Sequence, residues 1–370
     1  MVRVLNKQDL VDFCYGATIY GTGGGGSIER AMDQMEDALR EGLEFKLVNP
    51  TEIPDKAIVV CPYGVGGGVR EEIRKRFSSL PRISTKEIIS LGIEALVEKL
   101  GGEIYAFVPG ELGAGNSFLA MYIAALTRKY TVDGDTVGRS VPEVVHSSFT
   151  VLDVPITPFV IVSPFGDVMI VTRVLNDSRA EDIDRFMAVA SGGGVTIIDH
   201  PLKGRIVRDS IICGTVSKSI EVGKRLREAK EKGENPIAAV LETTGGHLLF
   251  KGIIDSVEKE GRDGFVWGKT KIKGSEDYSG HMLKVWFKNE NLVSWLDNEP
   301  YVTCPDLISL IDSKTADALS NMGRDIIGCE VAVIGIRSAD LWRTERGLEI
   351  LTPKYFGFDI EYIPIEERLA

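Results

Sequence analysis

At 370 residues the chain is longer than one hydrophobic core commonly supports, so two domains are expected. Hydrophobic residues at 44% and charged residues at 26% exclude a disordered chain, and a net charge of -11 argues against a nucleic-acid surface, which needs clustered Lys and Arg against phosphate. Five scattered cysteines (Cys14, Cys61, Cys213, Cys304, Cys329) without a C-x-x-C pair signal neither a disulfide framework nor a zinc knuckle. No apolar run reaches bilayer length, so a cytoplasmic protein with no membrane contact is expected.

Asn6 is placed to cap a helix over 7–20, and Ser27 to cap one from Ile28 that stops at Gly42. Between them lies G-T-G-G-G-G at 21–26, a literal G-x-G-x-x-G. A dinucleotide fingerprint follows a strand, whereas this run follows a helix, which argues against a Rossmann site. Two readings stay open. The backbone N–H groups of Gly23, Gly24 and Gly25 could cradle an anion or a carbonyl, with Thr22 as the only side chain offering chemistry, or the run is a tight turn between helices. Strands follow at 45–48 and 57–61, the second opening into P-Y-G-V-G-G-G before a charged helix over 69–77. Ser84 with Glu87 forms a capping box for a helix that ends at Gly101.

The next stretch organises the chain: a strand at 104–108, a glycine-rich turn with Glu111 and Asn116, an apolar helix at 117–126 and a strand at 130–132. A polar cluster of Asp133, Asp135, Arg139 and Glu143 follows directly. Alternating strands and helices predict a three-layer αβα domain with a mostly parallel sheet over 1–165, and loops beyond strand carboxyl ends are where such sheets bind ligands.

Residues 166–370 read as a helical middle section leading into a β-rich barrel or sandwich domain. Two β runs flank a turn at 164–167, Ser178 with Glu181 forms a capping box for a helix ending at 192–194, and a long amphipathic helix spans about 209–232. From Ile237 helical periodicity gives way to β runs at 247–255, 264–273, 281–287, 329–336 and 356–363. Gly268, Lys269 and Thr270 look like the end of a P-loop, but Asp263 stands where its upstream glycine is required.

Asp133 and Asp135, two residues apart in extended chain, are expected to point to one side. Beside Arg139 they would suit a divalent metal, or a base paired with an acid; the alternative is a solvated Asp-Gly-Asp turn with a surface salt bridge. His146, His200, His247 and His281 show no ligand spacing, and His146, just past Glu143, is the first to test. No G-x-S-x-G elbow is present. Asn289, Glu290 and Asp306 stand between apolar runs, either as turns or facing a cleft.

Taken together, G-T-G-G-G-G at 21–26, G-E-L-G-A-G-N-S at 110–117, D-G-D-T-V-G-R-S-V-P-E at 133–143, N-E-N-L at 289–292 and P-D-L-I at 305–308 resemble the S-methyl-thiohydantoin desulfurase-like family, grouped beside hydantoinase and oxoprolinase proteins. The resemblance implies an N-terminal three-layer α/β domain, a C-terminal β-rich domain, and hydrolysis of a thiohydantoin-type ring with release of a thiol. That reaction needs a base, an acid and a stabiliser of negative charge. The expected base is Asp135 or Glu111, the acid Glu143, and the stabilisers Arg139 and the glycine-loop amides, with a metal on Asp133 and Asp135 as a variant. Thr22, Gly23, Gly24, Gly25, Asn116, His146, Asn289, Glu290 and Asp306 are the expected substrate contacts. Two departures, G-V-G-G-G at 64–68 and His146 in place of an apolar residue, point to a different substrate within the family. Two other classes remain: a nucleotide-dependent hydantoinase-like enzyme holding magnesium on Asp133 or Asp135, and a non-catalytic small-molecule-binding subunit. The expected partners are a small-molecule substrate and further copies of the chain in a homo-oligomer.

Overall fold

In the computed structural model, which describes residues 2–370, capping chemistry starts the first helices where the sequence asks for them. After strand β1 (Arg3–Leu5), Asn6 Oδ1 accepts from Asp9 N at 3.0 Å and opens α1 (Lys7–Tyr20), while Ser27 Oγ accepts from Arg30 N at 3.1 Å and opens α2 (Ile28–Arg40). Strands β2 (Phe45–Val48) and β3 (Ile58–Gly66) lead to α3 (Glu71–Phe77). The Ser84–Glu87 capping box opens α4 (Thr85–Leu100), which ends on Gly101 at φ 63°. Next come β4 (Ile104–Phe107), α5 (Ala114–Leu126), β5 (Tyr130–Val132) and the short β6 (Gly134–Asp135). Helix α6 (Ser148–Val151), the hairpin β7 (Phe159–Val162) and β8 (Val168–Val171), α7 (Asp177–Ala190) and β9 (Gly194–Lys203) follow.

These strands, without β6, form an eight-stranded sheet in the order β1-β2-β5-β4-β3-β9-β7-β8. Only β2, β5, β4 and β3 run parallel, so the sheet is mixed rather than mostly parallel. Strand β9 makes the difference. It inserts antiparallel between β3 and β7, with Val195 and Ile197 packing on one face and Ile198 on the other. Burial on both faces removes the alternation that marks a strand in sequence, which is why no strand is expected there. Helices α1, α2, α4 and α5 cover one face over Phe45, Val60 and Phe107; α6 and α7 cover the other over Val59, Phe159 and Ile161.

Three expectations for the middle section change. Asn176, not Ser178, caps α7, because Asn176 Oδ1 accepts from Arg179 N at 3.0 Å. The helix expected from 209 breaks into α8 (Gly204–Ser210), a bridge β10 (Ile212–Cys213) paired with β6, and α9 (Thr215–Lys232), which begins after Gly214 at φ 79°. A further helix, α10 (Pro236–Thr244), lies where helical periodicity was expected to end, capped by Asn235 with Pro236 in its first turn.

The second sheet holds β11 (His247–Arg262), β12 (Phe265–Gly274), β13 (Met282–Lys288), β14 (Glu290–Leu296), β15 (Glu299–Thr303), β16 (Leu307–Asp312) and β17 (Glu330–Ile336), antiparallel throughout. Its order, β15-β14-β13-β12-β11-β17-β16, curls into a half-barrel in which Asn291 Nδ2 on β14 donates to Ile308 O on β16 at 3.1 Å. Residues 356–363 form no strand; Phe356 and Phe358 pack instead against Trp286. No helix among the described residues is long and apolar enough to cross a membrane.

Candidate functional site

A cleft of about 790 Å³ is lined by both halves of the chain. Strand β3 supplies Cys61 and Tyr63, the loop after β4 supplies Glu111, the first turn of α5 Asn116, β9 Asp199 and His200, and the β13–β14 turn Asn289 and Glu290. Asn116 ties three of these elements together. Its Nδ2 donates to Glu111 Oε1 at 2.6 Å and to Gly64 O at 3.3 Å, while its Oδ1 accepts from Gly64 N at 3.1 Å. Glu111 Oε2 accepts from Val141 N at 2.8 Å. Burial pushes the Glu111 carboxyl up to about 7, against the pull of those two donors.

Glu290 is the second buried acid. Asn289 adopts φ 60° in the turn and locks it by accepting from Val266 N at 2.8 Å through Oδ1, which turns Glu290 inward. Glu290 Oε1 accepts from Gly25 N at 3.3 Å, and its Oε2 has no hydrogen-bond partner among the described residues. Burial raises its carboxyl well above the ordinary range, and the neighbouring Glu111 charge raises it further. The two acids thus differ: Glu111 titrates near neutrality, whereas Glu290 is raised by burial and then by the Glu111 charge itself.

Glu143 behaves oppositely. Burial alone would raise it, but His146, the Lys288 ammonium and the Tyr355 hydroxyl outweigh that and hold it below the usual carboxylate range. Its environment therefore sets an ionised group, not the proton donor that the sequence suggested. His146 lies fully buried against Tyr355 and Phe356, and desolvation pushes it down to about 4, so the ring is neutral at pH 7.

The remaining expected residues, apart from Gly25, lie outside the cleft lining. Asp133 and Asp135 do not point to one side. Asp133 accepts from Ser217 N at 2.9 Å and Ser217 Oγ at 2.7 Å, satisfying the first turn of α9, whereas Asp135 Oδ2 accepts from Val137 N at 2.8 Å and Gly138 N at 2.7 Å. Separate partners leave the pair no common ligand position, and among the described residues no group of three or more His, Cys, Asp or Glu could hold a metal ion. Asp133→Ala should cost about 0.5–2 kcal/mol in chemical denaturation, as loss of a helix cap does, while leaving the cleft's ligand affinity unchanged.

Arg139 is wholly buried, donating to Thr22 Oγ1, Ser140 O, Asn291 O, Pro305 O and Asp306 O. Asp306 in turn accepts from Arg343, Ser338 N, Tyr362 and Ile365 N. Of the glycine run, Gly25 lines the cleft, and Gly23 and Gly24 pack beside it. A Cβ at Gly24 would stand 1.9 Å from Glu290 Oε1, and Gly25, at φ 76°, lies so close that its Cβ would stand 2.6 Å from Gly113 Cα. The amides of Gly24 and Gly25 donate to Gly21 O and Glu290 Oε1.

Sequence reasoning missed Tyr63 and Asp199 and read His200 as ordinary. Tyr63 OH donates to Asp199 Oδ2 at 2.5 Å, and His200 Nδ1 lies 2.9 Å from Asp199 Oδ1. His200 holds a left-handed φ of 43°, a conformation that costs energy in a non-glycine residue and is worth noticing beside a cleft. The only sequence signal was D-H-P directly after an apolar run, which carries weight only once β9 is known to be a strand.

The mixed sheet, the half-barrel and the carboxylate-floored cleft define a two-domain α/β protein whose candidate site draws on both halves. Family models described as S-Me-THD-like, N-terminal domain and S-Me-THD-like, C-terminal domain match residues 8–173 and 175–365, so the chain belongs to the S-Me-THD-like family, the S-methyl-thiohydantoin desulfurase-like proteins. The crystal structure of a protein from Chromobacterium violaceum, solved by the Northeast Structural Genomics Consortium, is similar with a TM-score of 0.79 at 21% identity, covering 98% of this chain and 100% of that one. That likeness shows a shared fold. No curated protein matches the chain.

Proposed function

We propose that the cleft hydrolyses a small cyclic amide of the S-methyl-thiohydantoin type, releasing a thiol and leaving a hydantoin. The observation that carries this reading is the pair of buried acids, Glu111 raised to about 7 and Glu290 raised well above the ordinary carboxylate range, in a cleft of a chain that belongs to this family. Environments that push two acids apart are how one site keeps a base and an acid together at one pH.

Water attacks the ring carbon that bears the sulfur, forming a C–O bond, and Glu111 takes its proton. Glu290 gives its proton to the adjacent ring nitrogen. As the adduct collapses to a carbonyl, its hydroxyl proton returns to Glu290, the C–S bond breaks, and the sulfur leaves with the proton held on Glu111. One water is consumed, one thiol and one hydantoin form, and both acids end as they began. Asn116 fixes the Glu111 carboxyl through its 2.6 Å bond to Oε1, and Tyr63, Asp199 and His200 line the same cleft.

The test incubates the purified chain with an S-methyl-thiohydantoin, follows thiol with a chromogenic reagent and identifies the hydantoin by mass spectrometry. Equimolar thiol and hydantoin from the wild type, with neither from Glu290→Gln, supports the reading. Absence of both across a panel of ring substituents overturns it.

A further inference from the structure

Four edge strands end the two large sheets, and three of them are guarded. Strand β1 opens on Arg3, which pairs with Asp9; β15 carries Glu299 and Pro300; and β16 is covered by the chain at 316–319, where Leu319 N donates to Leu310 O at 2.8 Å. Charge, proline and cover are the usual protections of a sheet edge. Strand β8 has none of them. Its residues Val168, Met169, Ile170 and Val171 are apolar throughout, and the first three are 36–41% exposed.

Register decides what that edge presents. Strand β7 pairs with β8 as Val162 with Val168 and Val160 with Ile170, and the hairpin closes on the bond from Ser163 N to Asp167 O at 2.9 Å. Antiparallel bonds alternate, so Met169 and Val171 bond to β7, while the N–H and C=O groups of Val168 and Ile170 point outward. Among the described residues nothing bonds to those outward groups. An open edge of this kind takes a further strand. Two exposed charges flank it. Arg173 makes no hydrogen bond or ion pair among the described residues, and the Asp167 carboxylate uses only Oδ2, towards Ser163 Oγ at 2.6 Å.

We propose that the chain forms a two-fold dimer in which β8 pairs antiparallel with β8 of a second copy, Ile170 standing opposite Ile170 on the axis. The register is self-complementary. It sets Val168 opposite Thr172 and Met169 opposite Val171, and at both ends it brings Asp167 of one copy to Arg173 of the other. Moving the axis to Met169 or to Val168 would set Asp167 against Val171 or Met169 instead, with its charge unpaired beside an apolar side chain. Because Ile170 faces outward, the pair on the axis exchanges both backbone bonds, and the two eight-stranded sheets become one. This contact is independent of the reaction proposed above.

Sedimentation velocity and light scattering over a micromolar dilution series should give twice the 40.5 kDa chain mass for the wild type. Ile170→Lys sets two ammonium groups together on the axis and should leave a monomer, with circular dichroism reporting unchanged folding. Arg173→Asp turns both end contacts from attraction to repulsion and should weaken the dimer about tenfold, and Asp167→Arg combined with Arg173→Asp should restore it to within about threefold of the wild type. A wild type that stays monomeric throughout the series, its edge left to some other chain, overturns the proposal. So does a dimer that neither Ile170→Lys nor Arg173→Asp weakens, because the contact then lies elsewhere. A folded charge-exchanged variant that remains as weak as Arg173→Asp alone overturns it too, since the register is then wrong.

Discussion

Glu111→Gln should lower thiol release by about 10²–10⁴-fold, the usual contribution of a positioned general base, while the hydantoin product still binds. The wild-type rate should rise as pH is raised through about 7, because burial pushes the Glu111 carboxyl up to about 7 and only its ionised form takes the water proton. The variant should show no such rise. Stability should move the other way. The native state holds the Glu111 proton between the ordinary carboxyl value of 4.5 and about 7, where the unfolded chain has lost it, so folding stability contributed at this site falls as pH rises across that window. Urea denaturation should therefore show Glu111→Gln gaining on the wild type from pH 4.5 to pH 7 and holding that gain above it. The partial offset is one hydrogen bond: a glutamine amide accepts through one atom where the carboxylate accepts from both Asn116 and Val141. A wild-type rate that is flat across pH 7 would remove Glu111 as the base.

The second large effect belongs to Arg139, and it is structural. Arg139→Met should cost about 3–5 kcal/mol in chemical denaturation and sharply lower soluble yield, because several buried carbonyls lose their donor at once. Those acceptors join the first glycine run, through Thr22, to β14 at Asn291 and to the segment before β16 at Pro305 and Asp306, so the loss falls on the contact between the two sheets. Arg139→Lys keeps the charge but not the fork and should fall between the two. A methionine variant with the wild-type denaturation midpoint would show that the sheets hold together without this residue.

Residues with local jobs were legible in the sequence. Asn6, Ser27 and Ser84 are caps because a short polar side chain meets a free N–H within three residues, and the bounds of α1 and β5 follow from local pattern alone. Glu111, Asn116 and Glu290 could be picked out as candidates because they interrupt glycine-rich or apolar runs. Their separate roles could not, since Glu111 and Glu290 are 179 positions apart in the chain and differ only in what surrounds them once folded. Arg139 and Asp133 misled for the same reason. A charged residue in a polar motif looks alike whether it faces a ligand, bridges two sheets or caps a distant helix.

By itself, then, the sequence determined the class of chain: two α/β and β-rich parts, a family resemblance carried by dispersed motifs, and caps and turns set by neighbours a few residues away. Tertiary structure alone decided that β9 would enter the first sheet antiparallel and bring Asp199 and His200 to Tyr63, and that Glu111 and Glu290 would be buried in one cleft with both carboxyls raised. The physical reason is range. Helix caps and turns are decided by contacts within a few residues, whereas burial, and the desolvation that sets each acid's charge, depends on groups far apart in the chain.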